Sequence, residues 1–360
     1  MRHTRGSVVE VTTVEDLDRR LRAGARRLDG WRLVGLDLTG RGEDLARCDV
    51  AQALLLGCRL TEEDERALRT RGAIVFPDIP DTPVDPYRST LYSPTDLYDS
   101  TPYDVSLDAR AYAWSQHHDG PEDSIARSLH DHAIDVALTS WVGGRRVVGV
   151  MGGHASVRGS EEYARAARLG RALGSRLTVA TGGGPGAMEA ANLGAYLATA
   201  PPEALDEALE SLAQVPGYRP SIDAWAATAL EVVERQPGGG ESLGVPTWHY
   251  GHEPPNAFAT SIAKYFRNSQ REAVLLEVCD AGIVFLPGAA GTVQEVFQDA
   301  CENYYADPSS LAPMVLLGHE HWTRTLPVWP LLKALAAERA MAPHVHLVDS
   351  VEEATELLGG

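Results

Sequence analysis

The sequence predicts an α/β protein organised around a parallel sheet, and three observations carry that reading. From Arg145 onward, short apolar runs alternate with amphipathic segments of helical period, the pattern of repeated strand–helix units. The run Ile283–Leu286 is apolar at every position; a strand buried on both faces needs this, whereas a strand with one wet face would alternate. Three apolar runs end directly in glycine-rich turns, at Gly152-Gly153, Gly182–Gly186 and Gly288–Gly291, and an open parallel sheet gathers its ligand loops at the carboxyl ends of its strands. The expected fold is therefore a Rossmann-like doubly wound parallel sheet with an additional N-terminal α/β region.

Bulk properties narrow the function classes. The chain has 360 residues, enough for two domains, with 44% hydrophobic and 23% charged residues, ordinary for a globular protein. Its 32 Lys+Arg against 50 Asp+Glu give a net charge of −18. That argues against a nucleic-acid surface or an anionic membrane as partner. The first residues carry no apolar segment of the secretory kind, and no apolar run approaches the roughly 18 residues of a membrane span; a cytoplasmic location is the expectation. Cys48, Cys58, Cys279 and Cys301 have no metal or redox spacing and read as buried thiols. No metal and no cofactor are expected. The sequence shows no period of self-similarity.

In chain order, residues 12–23 read as a capped amphipathic helix with Val14, Leu17 and Leu21 on one side. Strands are expected at Trp31–Leu38, Ala53–Cys58 and Ala73–Phe76, with a helix from Thr61 whose acidic first turn suits the helix dipole. Residues 77–103 are rich in proline and tyrosine, so they form an extended connector that packs its tyrosines onto a neighbour. Residues 105–141 look helical; His118 and Asp119 there either join a pocket or end a solvated helix. The domains expected are 1–140, containing this connector, and 141–360, with a helical insertion at 201–241.

Within the second domain, strands are expected at Val147–Met151, Leu177–Ala180, Ile283–Leu286, Pro313–Leu317 and His344–Val348. Helices are expected from Ser160, through Met188-Glu189, over Phe258–Leu276, Val293–Tyr305, Leu331–Ala340 and Val351–Leu358. The insertion holds two amphipathic helices split near Pro216–Pro220.

The three glycine turns together point to a phosphorylated ligand. Ala289, Ala290 and Gly291 have small or absent side chains, so backbone amides at the start of a helix can approach an anion, and Thr292 can cap that helix. Glu295 lies one helical turn on, on the same side as Thr292. Because a carboxylate repels phosphate, Glu295 should face another part of the ligand. No turn has the Gly-Lys-Ser/Thr of a Walker loop, and the dinucleotide fingerprint is met only loosely by Gly182, Gly184 and Ala187. A mononucleotide fits better. Arg271, on the segment before the apolar strand, either clamps a phosphate, pairs with Glu295, or is a surface arginine. Trp248, His249, Tyr250, His252 and Asn256 follow a strand and are candidates for the base pocket or ordinary loop packing.

Three elements carry a family resemblance. Pro287-Gly288-Ala289-Ala290-Gly291-Thr292-Val293-Gln294-Glu295 resembles the Pro-Gly-Gly-x-Gly-Thr-x-x-Glu signature of the Lonely Guy family. Gly182–Met188 is similar to its Gly-Gly-Gly-x-x-Gly-x-Met turn, and Ser269–Glu272 resembles its Arg-Lys element. Gly152–Ala155 with Thr181–Ala190 looks most like the larger bacterial nucleotide 5′-monophosphate nucleosidases of that family, over roughly residues 145–358. Members are phosphoribohydrolases that cleave the N-glycosidic bond of a nucleoside 5′-monophosphate to free base and ribose 5-phosphate.

The resemblance implies that Arg271 and Glu295 are the catalytic pair and that Gly288, Ala289, Ala290, Gly291 and Thr292 hold the 5′-phosphate. It also implies that Gly183, Gly184 and Gly186 line the ribose or phosphate side, with Met188 and Glu189 in the same pocket, and that the protein is a homodimer or higher homo-oligomer. The alternative is a non-catalytic nucleotide sensor or carrier of the same fold. The sequence departs from the pattern at Ala289, in place of Gly, and at Glu272, in place of Lys; the first narrows backbone freedom and the second removes a cation near the phosphate. The insertion at 201–241 implies either a lid or an added interface. The only lysines are Lys264 and Lys333, neither in a motif suited to pyridoxal chemistry.

Overall fold

The computed structural model describes residues 9–117, 120–249 and 253–358, in two compact units. The first comprises the described residues up to Arg88 with residues 120–130, the second Ser89–117 with the described residues from Asp131 onward. The division thus falls at Arg88 and not at 140: the second half of the Pro/Tyr-rich connector belongs to the larger unit. The helix Pro121–Val142 contributes to both. His118 and Asp119 lie outside the described residues.

In the first unit, β1 (Glu10–Val11), β2 (Arg32–Val34), β3 (Leu54–Leu56) and β4 (Ile74–Phe76) form a four-stranded parallel sheet in chain order. Glu10 lies opposite Arg32, and Arg32 opposite Leu54, so the first two steps share a 22-residue period; the last, Leu54 to Ile74, is 20. This is a repeat, and it corrects the sequence-based expectation of none. The repeat is faint because so few positions recur: Gly35 and Gly57, both with positive φ, then Leu38-Thr39 and Leu60-Thr61. Alternation sorts the two faces. Leu33, Leu55 and Val75 pack with the helix residues Leu17, Leu21, Leu45 and Leu68, while Val34 and Leu56 pack under Tyr87, with Leu129 against them. The connector tyrosine thus closes the face that the helices leave open.

In the larger unit, seven parallel strands run in the order β11-β10-β9-β5-β6-β7-β8. They are β5 (Val147–Met151), β6 (Thr178–Thr181), β7 (Ser242–Gly244), β8 (Ser261–Ile262), β9 (Ile283–Phe285), β10 (Met314–Leu317) and β11 (Val345–Val348). The sheet is Rossmann-like and doubly wound, as the sequence predicts. The chain starts in the middle at β5, runs outward to β8, then returns across β5 to lay down β9 and continue the other way. The switch point therefore lies between β5 and β9, where Gly149 pairs with Ile283, and a crevice opens at their carboxyl ends.

Two expectations change here. Residues 258–267 are not helical: Ser261–Ile262 is the outermost strand, Ile262 exchanges backbone bonds with Tyr92, and the helix starts only at Asn268. Phe258 to Tyr265 are almost all buried, so no polar face marks their period. The inserted helices Pro202–Leu212 and Ile222–Arg235 contribute Leu205, Ala208, Leu212, Ala229 and Val232 to the main core, so the insertion is a structural layer and not a lid. Cys48, Cys58 and Cys279 are buried as expected, but Cys301 is exposed.

The helices Glu161–Gly174 and Ala187–Tyr196 touch backbone to backbone. A Cβ at Gly170 would strike the carbonyl of Ala191, and one at Gly194 the carbonyl of Ala167. Close packing brings the second helix, which springs from the Gly182–Gly186 turn, tight against the sheet. Gly194→Ala would gain about 1 kcal/mol of helix propensity, yet there is no room for the methyl group. The expected outcome is a net destabilisation of about 1–3 kcal/mol, the range of overpacking costs, read from urea unfolding midpoints.

Candidate functional site

A cavity of about 890 Å³ opens at the switch point. Its walls come from the loop after β5 (Gly152, Gly153, His154, Ala155), the loop after β9 with the following helix (Pro287 to Thr292, Gln294, Glu295), and Arg271 and Glu272 from the helix Asn268–Glu277. Ser156, Val157, Ser160, Glu162, Met188, Glu253 and His321 complete it.

The helix Ala290–Tyr305 starts two residues before Thr292, with Ala289 as its N-cap and no side-chain cap bond. Thr292 is therefore not the cap, which corrects the sequence reading; it sits inside the first turn, 5% exposed. Elsewhere, hydroxyls do cap helices: Thr13, Thr61, Ser160 and Ser221 each accept from a first-turn amide. At the cavity, small residues leave first-turn amides open, which is the arrangement that suits an anion.

The glycines of this loop have separate reasons. A Cβ on Gly288 would collide with the Thr292 hydroxyl, so Gly288 is needed for packing. Gly291 has no positive φ and nothing within 4 Å of an added Cβ, so nothing in the protein itself requires glycine there. Ala289 has φ −113°, outside the left-handed region, so its methyl group costs the loop no forbidden conformation.

Arg271 is fixed from several sides. Its Nε donates to the Val245 carbonyl at 2.7 Å, beyond the end of β7. Its guanidinium rests against Gly182, where a Cβ would run into Nη2 and also come 2.7 Å from the Met188 sulfur. Its Nη1 lies 3.8 Å from Glu295 Oε1, with both side chains under 15% exposed. Desolvation lifts the Glu295 carboxyl to about 7, opposed by the Arg271 charge and aided by Glu272. Glu272 is held by Asn268 and Gln294, which both donate to it. The pair is thus a carboxyl that titrates near neutrality beside a fixed cation.

The remaining expected residues part company. Gly152, Gly153, Met188, Arg271, Glu295 and the stretch Gly288–Thr292 come together in the cavity wall. Gly183, Gly184, Gly186 and Glu189 do not line it. The amide of Gly183 donates to Thr181 Oγ1, and that of Ala187 to the Gly153 carbonyl; these two donors serve the protein, and Gly182 serves to admit Arg271. Glu189 is buried in an ion pair with Arg158, sealed off from the cavity. The described base-pocket candidates are also elsewhere. Trp248 is buried with Nε1 bonded to Asp108, Asn256 is buried and bonded to Gly184 and Asn192, and His249 is exposed outside the lining. Tyr250 and His252 lie outside the described residues. Lys264 is buried against Asp108.

The sequence reading missed His154, Glu162, Glu253 and His321. His154 directly follows Gly153, and His321 follows the end of β10; attention to every carboxyl-end loop would have found both. Among the described residues no group of three or more metal-binding side chains occurs, and no helix is long and apolar enough to cross a membrane.

No family model matches the chain, and no curated protein matches it. Solved structures it resembles include the molybdenum cofactor binding protein from the phototrophic bacterium Rippkaea orientalis, 17% identical, over 60% of this chain and 96% of that one, with a TM-score of 0.38. Another is the molybdenum cofactor carrier protein from Chlamydomonas reinhardtii, 18% identical, over 60% of this chain and 99% of that one, with a TM-score of 0.37. At these values the likeness carries no argument about function.

Glu295 makes a stability prediction. Its folded value, about 7, stands above the ordinary 4.5, so its ionisation opposes folding. The loss of stability begins above pH 4.5, grows to about pH 7 and is constant beyond. Glu295→Gln removes the charge. The variant should match the wild type near pH 5 and exceed it by up to about 3 kcal/mol at pH 8, measured as the gap in urea midpoints against pH.

Proposed function

We propose that this chain hydrolyses the N-glycosidic bond of a nucleoside 5′-monophosphate to free base and ribose 5-phosphate. The observation that carries the proposal is the placement of the Arg271–Glu295 pair, 3.8 Å apart, in the same cavity wall as the uncapped helix start at Ala290–Thr292. One end suits a phosphate, and a carboxyl one helical turn further along suits a sugar.

In this reading the amides of Ala290, Gly291 and Thr292 hold the 5′-phosphate. The ribosyl C–N bond breaks with its electron pair leaving on the base nitrogen, and positive charge spreads over C1′ and the ring oxygen. The Glu295 carboxylate stabilises that charge and accepts a proton as water adds to C1′. Arg271 keeps Glu295 oriented and its carboxylate form accessible near neutrality. The base nitrogen gains a proton as it leaves. A homodimer belongs to the same proposal.

A second reading, nucleotide binding without turnover, draws on Glu272. It occupies the position where the resembled element has a lysine, and it adds negative charge beside Glu295. The assay that separates the two measures ribose 5-phosphate release from AMP, GMP, CMP, UMP and IMP. The enzyme reading expects turnover of at least one, lowered by at least about 10²-fold in Glu295→Gln with nucleotide still bound. It also expects kcat/KM to rise with pH through about 7, because the carboxylate is the active form and Glu295 titrates there. Binding of a nucleotide with turnover of none assigns the second reading.

A further inference from the structure

His321 is a wall residue of the cavity that the proposed chemistry has not used. It stands at the start of a single π-helical turn, His321–Thr325, which follows β10 on the flank of β9. Such turns are rare and are found disproportionately at functional sites. Its ring lies edge-on to Trp322 at 4.7 Å, and Trp322 is itself fully buried with Nε1 donating to the Leu317 carbonyl. The ring also lies near the backbone of Gly288, in the loop whose amides face the cavity, and that neighbour favours its protonated form. Its Nε2 is buried and has no hydrogen-bond partner. A buried ring nitrogen without a partner costs free energy, and this one belongs to a ring that lines the cavity.

We propose that His321 is a phosphate-binding residue whose ring is neutral in the empty site and takes up a proton when a phosphomonoester dianion binds. This rests on the phosphate reading of the Gly288–Thr292 loop. Burial holds the empty ring's pKa below its ordinary value, partly offset by the nearby Gly288 backbone. An incoming dianion reverses the balance, because a protonated ring then pairs with it. The proton comes from solvent, and the protonated ring donates to a phosphate oxygen. Among the described residues, the cavity otherwise offers the phosphate end only Arg271 as a permanent cation, against the carboxyl groups Glu162, Glu253, Glu272 and Glu295, with His154 paired towards Glu253 at 3.9 Å. Nearer along the chain, Glu320, His319 and Arg324 flank His321. His321 thus supplies charge that Glu272 withholds, and only when the ligand is present.

The test uses the full chain and ribose 5-phosphate as the probe. In a Glu295→Gln, Asp299→Asn background, which removes the two carboxyl groups beside the site that titrate near neutrality, affinity should fall as pH rises from 7 to 9. Proton uptake on binding should be seen by calorimetry in buffers of different ionisation enthalpy. His321→Gln should weaken binding by at least about tenfold at pH 7 and abolish both the pH dependence and the proton uptake. In parallel, proton NMR of the wild-type imidazole should show the His321 pKa rising on addition of the probe, a readout needing no variant at His321. If the probe binds but the ring pKa does not move and His321→Gln binds as well as its parent, this proposal is overturned while the phosphate reading stands. If the wild type binds no phosphomonoester, both fall.

Discussion

The seat of Arg271 ties the larger unit's working end together. Its guanidinium lies on the bare backbone of Gly182, bonds the Val245 carbonyl and comes within 3.8 Å of Glu295. Those partners lie after β6, after β7 and on the helix after β9, while Arg271 stands on the helix before β9. A side chain at Gly182 would expel the guanidinium, leaving Glu295 desolvated without its counter-charge. The burial that lifts the Glu295 carboxyl to about 7 would then act without that compensation. The glycine-rich turn after β6 thus matters less as a ligand cradle than as the place where an arginine can lie flat.

Glycine therefore does two different jobs at the crevice. Gly182 and Gly288 admit a neighbouring side chain, Arg271 and Thr292 respectively, and Gly183 and Gly186 take positive φ in a turn whose Gly183 and Ala187 amides bond within the protein. Gly291 meets none of these needs, and it is the one that faces open space. The loops look alike in sequence because absence of a side chain is a single letter with several causes. Only neighbours separate the causes, and neighbours are set by sheet order.

Electrostatically, the site is a cation fixed among carboxyl groups in a chain of net charge −18. That background disfavours a phosphate at long range and makes short-range donors decisive: open amides at Ala290–Thr292 and one guanidinium. Asp299, one turn beyond Glu295, is buried and lifted to about 8 chiefly by desolvation. It therefore adds little negative charge at neutral pH behind the pair.

The sequence by itself determined the fold class, because a buried parallel strand must be apolar on both faces and Ile283–Leu286 is. It also singled out the loop after β9, since that motif is contiguous, but it left the role of Arg271 open and paired it with Glu295 only through the resemblance. It misread Phe258–Tyr265 as helix because residues buried on every side leave no polar face to set a period. It missed the 22-residue repeat because sheet register, and not residue identity, conserves it. Only the tertiary structure decided that Glu189 belongs to a sealed ion pair, that Trp248 and Asn256 are structural, and that His321 joins the wall. Those assignments depend on which strand ends lie side by side, and the order β10-β9-β5-β6 brings together residues from 152 to 321 that no local pattern connects.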